Sequence, residues 1–189
     1  DIDNPIEKNI KNLADAKNVT PADIVVCILD RPRHKEVISG VRQSGARIML
    51  ISDGDVSGVI ATAQPDAGVD LYLGSGGAPE GVLAAAALRC IGGQMQGRLM
   101  FRNDDEISRA RRWGIDDLEK KYSLFELAKG DVMFAATGVT GGTMLKGVKR
   151  FPGGADTHSI IMRSSTGTVR TIEAHHDWRR KPISSDLKV

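Results

Sequence analysis

The chain has 189 residues, the size of one ordinary domain or two small ones. Its 26 Lys and Arg against 24 Asp and Glu leave a formal charge of +2 with histidine neutral, which argues against a protein that wraps nucleic acid. Hydrophobic residues make up 41%, too many for a disordered chain, while the apolar runs are too short to span a membrane.

Residues 5–18 read as a polar helix stopped near Pro21. Residues 23–30 (Asp-Ile-Val-Val-Cys-Ile-Leu-Asp) form a continuous apolar run of strand length, as expected for a strand buried on both faces. Pro32 suits the first turn of the next helix, which runs to Ser44 with Gly45 as its left-handed cap. A second strand is expected at 47–51, a helix at 56–63 and a third strand at 69–73. The alanine-rich stretch 82–90 is apolar nearly all round and reads as a buried helix. Strand, polar loop and helix thus recur three times, the pattern of parallel βαβ units with right-handed crossovers. The fold class is therefore α/β, a mostly parallel, Rossmann-like sheet with helices on both faces. Beyond it, strands are expected at 96–101 and 131–137, a charged surface helix at 104–113, and a hairpin of 158–163 with 168–173.

Glycine is the compositional outlier, at 21 of 189 residues, about 11% against a usual ~7%. Cys27 and Cys90 lie in apolar stretches and read as buried thiols, with no metal or disulfide spacing. Without a disulfide framework, a reducing cytoplasm is the simplest expected home. No basic and apolar leader follows Asp1, so no signal peptide is visible: either the start has been removed or the chain is a piece of something longer.

Ligands of open parallel sheets bind beyond the carboxyl ends of the strands. The first such loop offers Arg31, Arg33 and His34 around Pro32, either an anion clamp of guanidinium forks or a solvated turn. The second offers Asp53 and Asp55 around Gly54. Asp55 suits a helix N-cap, while Asp53 suits a sugar hydroxyl or a cation. The third, residues 74–81 (Gly-Ser-Gly-Gly-Ala-Pro-Glu-Gly), can aim backbone N–H groups at a ligand. It is neither a dinucleotide fingerprint nor a Walker loop. Glu80 falls in the first turn of the following helix, where the dipole alone favours a carboxylate; a metal ligand is the alternative. The later cluster 137–142 reads as a turn. His175, His176 and Asp177 are adjacent, and neighbouring side chains rarely face one ion.

Three linked motifs, Asp30-Arg31-Pro32-Arg33-His34, Ile51-Ser52-Asp53-Gly54-Asp55 and Gly76-Gly77-Ala78-Pro79-Glu80-Gly81, resemble the class II fructose-1,6-bisphosphatases in order and spacing. Gln96-Gly97-Arg98-Leu99, Phe134-Ala135-Ala136-Thr137-Gly138-Val139-Thr140, Leu145-Lys146-Gly147-Val148 and the segment from Met162 to Glu173 are similar to the same family. The resemblance implies a layered αβαβα sugar-phosphatase fold. The implied activity is metal-dependent hydrolysis of the 1-phosphate of fructose 1,6-bisphosphate to fructose 6-phosphate, extending to sedoheptulose 1,7-bisphosphate, in gluconeogenesis and related carbohydrate metabolism. It also implies Mn²⁺ or Mg²⁺ as cofactor, a homo-oligomer (dimer or tetramer), and no nucleic-acid or membrane partner.

By the same resemblance Arg31, Pro32 and Arg33 hold the distal phosphate. Asp53, Gly54, Asp55 and Gly77 line the sugar, and Glu80 binds metal. Arginine at position 31 replaces a commoner lysine, and Ser75 and Ala78 also differ from the commoner loop residues. The family is about twice this length, with most of its acidic metal ligands in an earlier half. Residues 1–175 are therefore expected to be a carboxyl-terminal, substrate-binding half that is inactive alone, with no catalytic residue of its own and a polar tail at 176–189. A non-catalytic nucleotide- or sugar-phosphate-binding regulatory domain is the alternative from the loops alone.

Overall fold

The computed structural model describes residues 1–180. Helix α1 (Ile6–Lys17) buries Ile10 and Ala14 and ends on Asn18 in the left-handed conformation. Strand β1 (Val25–Leu29), helix α2 (Lys35–Gln43) and strand β2 (Arg47–Ile51) follow, with a 3₁₀ turn at Pro32–His34 leading into α2. Helix α3 (Asp55–Ala61), strand β3 (Leu71–Tyr72) and helix α4 (Ala78–Ile91) complete the repeating part. The sheet is parallel, in the order β2-β1-β3. All five residues of β1 pair with β2, whereas only Val26 and Cys27 pair with β3.

Alternation along β1 sends successive side chains to opposite faces, and each face has its own helical cover. Val26 and Ile28 pack with Ile10, Ala14, Ile38 and Val41 of α1 and α2. Cys27 packs with Ala61 and Val69 on the α3 side. The helices therefore cover both faces, as the apolar run of β1 requires. Both cysteines are buried, and burial pushes their thiols up from the ordinary range.

The second half holds strand β4 (Gln96–Arg98), helix α5 (Asp104–Arg112), strand β5 (Lys121–Ser123) and helix α6 (Leu124–Leu127). Strands β6 (Met133–Thr137), β7 (Lys149–Phe151), β8 (Gly154–Arg163) and β9 (Thr168–Asp177) come last. β4 and β5 form an antiparallel ribbon. β8 is the centre of a separate antiparallel sheet, pairing with β6, β7 and β9. Phe134, Ile160 and Met162 of that sheet pack on Ile60 of α3 and Ala87 and Cys90 of α4. The layers thus run α1/α2, parallel sheet, α3/α4, antiparallel sheet. On the far face of the last layer Met133 and Ile172 are exposed.

Several boundaries differ from the sequence reading. α4 begins at Ala78, a turn earlier than the apolar stretch suggested, because Pro79 fits a first turn. β5, α6 and β7 are additional. β8 and β9 extend through polar residues to Gly154 and Asp177, so β9 carries His176 and Asp177, which the sequence assigned to a tail. Residues 181–189 of that tail lie outside the described residues. Among the described residues no helix is long and apolar enough to cross a membrane.

Candidate functional site

A strand order of β2-β1-β3 means that the chain leaves β1 towards one neighbour and later returns on its other side. The point where the order reverses lies between β1 and β3, and loops diverging there leave a crevice at the carboxyl ends of the strands. The loop after β1 carries Arg31–His34 and the loop after β3 carries Gly74–Gly77, so these two flank the crevice.

They are joined. Arg33 donates from Nε and Nη2 to the Ser75 carbonyl, at 3.0 and 2.8 Å. His34, 1% exposed, lies between the same loops, with Nδ1 2.8 Å from the Leu29 carbonyl and Nε2 2.9 Å from the Ser75 N–H. Arg31 Nη1 donates to the Asp30 carbonyl at 2.9 Å. Pro32 opens the 3₁₀ turn between the two arginines, where its fixed φ suits a first turn. Both guanidinium groups are thereby oriented at a solvent-accessible edge, the disposition that anion recognition uses.

The loop after β2 approaches from the other side. Asp55 Oδ2 comes close enough to Gly76 that a Cβ there would lie 3.1 Å away. Asp55 is the first residue of α3 and not its N-cap. That position belongs to Gly54, whose left-handed backbone (φ +81°) carries no side chain to cap with. Asp55 Oδ1 instead accepts from the Val56 N–H at 3.0 Å, and exposed Asp53 accepts from the Gly54 N–H at 2.8 Å. Burial, then the Asp55 carboxylate, pushes the Tyr72 hydroxyl up to about 12.

Gly77 is the N-cap of α4 and Glu80 lies in its first turn. The Glu80 carboxylate folds back over Gly77, filling the space a Cβ would need. Arg31, Arg33, Asp55, Gly76, Gly77 and Glu80 therefore belong to one edge of the molecule, whereas the hydrogen bond of Asp53 stays within its own loop. Glu80 can give one oxygen to a divalent cation. Among the described residues no three His, Cys, Asp or Glu side chains are grouped to hold a metal, so this donor set is not a metal centre on its own.

The remaining histidines, His158, His175 and His176, are carried by β8 and β9. On β9, His175 pairs with Asp156 and stacks on Phe151, while His176 meets Thr157 from the opposite face. The loop between β6 and β7 closes on itself through the Gly142 N–H to Leu145 carbonyl and Val148 N–H to Val139 carbonyl bonds, in keeping with the turn reading. The sequence reading flagged Arg33 and His34 but not their shared partner, because the Ser75 groups they hold are main-chain atoms that any residue but proline would offer.

Residues 1–176 match the family described as bacterial fructose-1,6-bisphosphatase, glpX-encoded. Similar curated proteins are the D-fructose 1,6-bisphosphatase class 2/sedoheptulose 1,7-bisphosphatases of Trichodesmium erythraeum, Crocosphaera subtropica and Microcystis aeruginosa. They are 40%, 41% and 40% identical over 93%, 100% and 95% of this chain. Those alignments take in 55%, 58% and 56% of the relatives, so the chain spans little more than half their length. With the motif-bearing loops gathered at one sheet edge and the match running through nearly the whole sequence, the chain belongs to the glpX-type, class 2 fructose-1,6-bisphosphatase family.

Proposed function

We propose that the protein, at the length of its relatives, hydrolyses the 1-phosphate of fructose 1,6-bisphosphate, with sedoheptulose 1,7-bisphosphate as a second substrate, and that residues 1–175 are its substrate-holding half. The observation that carries this reading is the convergence of the Arg31–Arg33 and Gly76–Gly77 loops at the point where strand order reverses, in a chain of this family.

Arg31 and Arg33, spaced by Pro32, hold the distal 6-phosphate, and fixing that end positions the reacting 1-phosphate. Asp53 and Asp55, either side of Gly54, accept hydrogen bonds from sugar hydroxyls, and Gly77 lets the sugar approach the backbone. Glu80 is the candidate ligand for a divalent ion, Mn²⁺ or Mg²⁺, as one donor of a set that the described residues do not complete. On this reading water adds to the phosphoryl phosphorus as the sugar oxygen departs, giving fructose 6-phosphate and inorganic phosphate.

Phosphate release tests it. The protein at the length of its relatives should release one phosphate per bisphosphate in the presence of Mn²⁺ or Mg²⁺. The 189-residue chain alone should bind fructose 6-phosphate without turnover. Absence of release from both sugar bisphosphates would overturn the activity, and full turnover by the 189-residue chain would overturn its assignment as a substrate-holding half.

A further inference from the structure

His34 is the one buried charged or polar residue of the described core, and the chemistry proposed above does not use it. It stands at the seam of the two loops, and the geometry fixes its hydrogen-bonding state. The Leu29 carbonyl 2.8 Å from Nδ1 can only accept, so Nδ1 carries the proton. In the neutral ring Nε2 then presents a lone pair, which the Ser75 N–H meets at 2.9 Å, with the Ser75 hydroxyl a second donor at 3.2 Å. The Ser75 carbonyl, 3.1 Å from Nε2, cannot bond to that lone pair; Arg33 takes it with two N–H groups. The Nδ1 proton, the Nε2 lone pair and the Ser75 carbonyl are thus all satisfied.

We propose that His34 is a positioning residue: as the Nδ1–H tautomer it clasps the main chain of Ser75, and so fixes Gly76 and Gly77 relative to Arg33 for a bound sugar phosphate. The clasp runs from the end of β1 through the ring to the loop after β3. β3 itself pairs with β1 at only two residues, so its own register holds that loop weakly. Arg33 is held by the same residue that His34 holds. Loosening Ser75 therefore releases both a cation and the glycine backbone in one event. The inference rests on the reading that these loops hold a sugar phosphate.

Two substitutions separate the ring nitrogens. Asparagine can reproduce the donor at Nδ1 but reaches nothing at Nε2, whereas glutamine can place an acceptor near the Nε2 position. Binding of fructose 6-phosphate is measured by calorimetry in metal-free buffer with the protein at its relatives' length. His34→Asn should weaken binding about tenfold, and His34→Gln should stay within about threefold of wild type. In the turnover assay the His34→Asn loss should fall on KM more than on kcat.

Nitrogen-15 NMR of the histidine rings in the wild-type protein should show His34 protonated at Nδ1. If both variants melt early, this tautomer decides the matter. A His34 ring protonated at Nε2, or a folded His34→Asn variant that binds as wild type does, would overturn the proposal. Failure of the underlying reading looks different: wild type itself then binds no fructose 6-phosphate and releases no phosphate, which overturns both.

Discussion

Gly77 leaves room for the Glu80 carboxylate, and its backbone (φ −68°, ψ 146°) is one that alanine adopts freely. Gly77→Ala should therefore leave the melting temperature close to wild type while forcing Glu80 out of its place. Metal-dependent phosphate release is expected to fall at least about tenfold, and an undiminished rate would remove Glu80 from the site. Gly54 is the opposite case. Its φ of +81° makes Gly54→Ala a strain of about 1–2 kcal/mol, read as an earlier thermal transition. At this scale the sequence reveals the residues that bring chemistry with their side chains, such as Arg33 or Glu80. It does not reveal Ser75, which contributes an N–H and a carbonyl, or the capping position, which Gly54 occupies in place of the better-suited Asp55.

Helix α6 shows how a four-residue element is held. Its start is a capping box in which the Glu126 carboxylate accepts from the Ser123 N–H and hydroxyl, each at 2.9 Å, and pairs with Lys120. The Ser123 N–H, then Lys120 and the Ser123 hydroxyl, pull the Glu126 carboxyl down to about 2 from the usual 4.5. A carboxyl lowered in the folded state adds stability above its unfolded pKa, and that contribution is lost as pH falls through the folded value. Melting temperatures of wild type and Glu126→Gln should accordingly differ at neutral pH and converge between about pH 4.5 and pH 2. A constant gap through that window would assign the effect to packing.

Elements with a strong local pattern are the legible ones. β1 and β2 stand out as apolar runs, and α5 as acids at its start and arginines at its end. β5 and β7 were not legible. Lys121–Ser123 and Lys149–Phe151 are three residues each, too short for a period, and they are strands only because β4 and β8 lie alongside. The outer parts of β8 and β9 carry Asp156, Thr157 and His175, whose extended state comes from pairing with each other and not from composition.

For the molecule as a whole, the α/β class followed from three repeated units. The antiparallel layer is only half visible: its strands are consecutive between Met133 and Asp177, but β7 is short and the outer parts of β8 and β9 are polar, and the layer's place follows from packing of residues such as Met162 and Ile160 on α3 and α4. The positions of the site loops, by contrast, follow from strand order alone: wherever the chain turns back across β1, the loops after β1 and β3 must part. That sheet is uneven. β2 is joined to β1 along five residues, while β3 is joined along two, extended by the Asp70 N–H to Val25 carbonyl and Leu73 N–H to Cys27 carbonyl bonds. Expressed in time, the unevenness becomes a clock on the site. In deuterated water the peptide spanning 70–77 should take up label ahead of that spanning 47–51, because opening it breaks fewer bonds. Fructose 6-phosphate, by bridging Arg33 and Gly77, should slow the first peptide towards the rate of the second, which mass spectrometry can follow without any catalytic turnover.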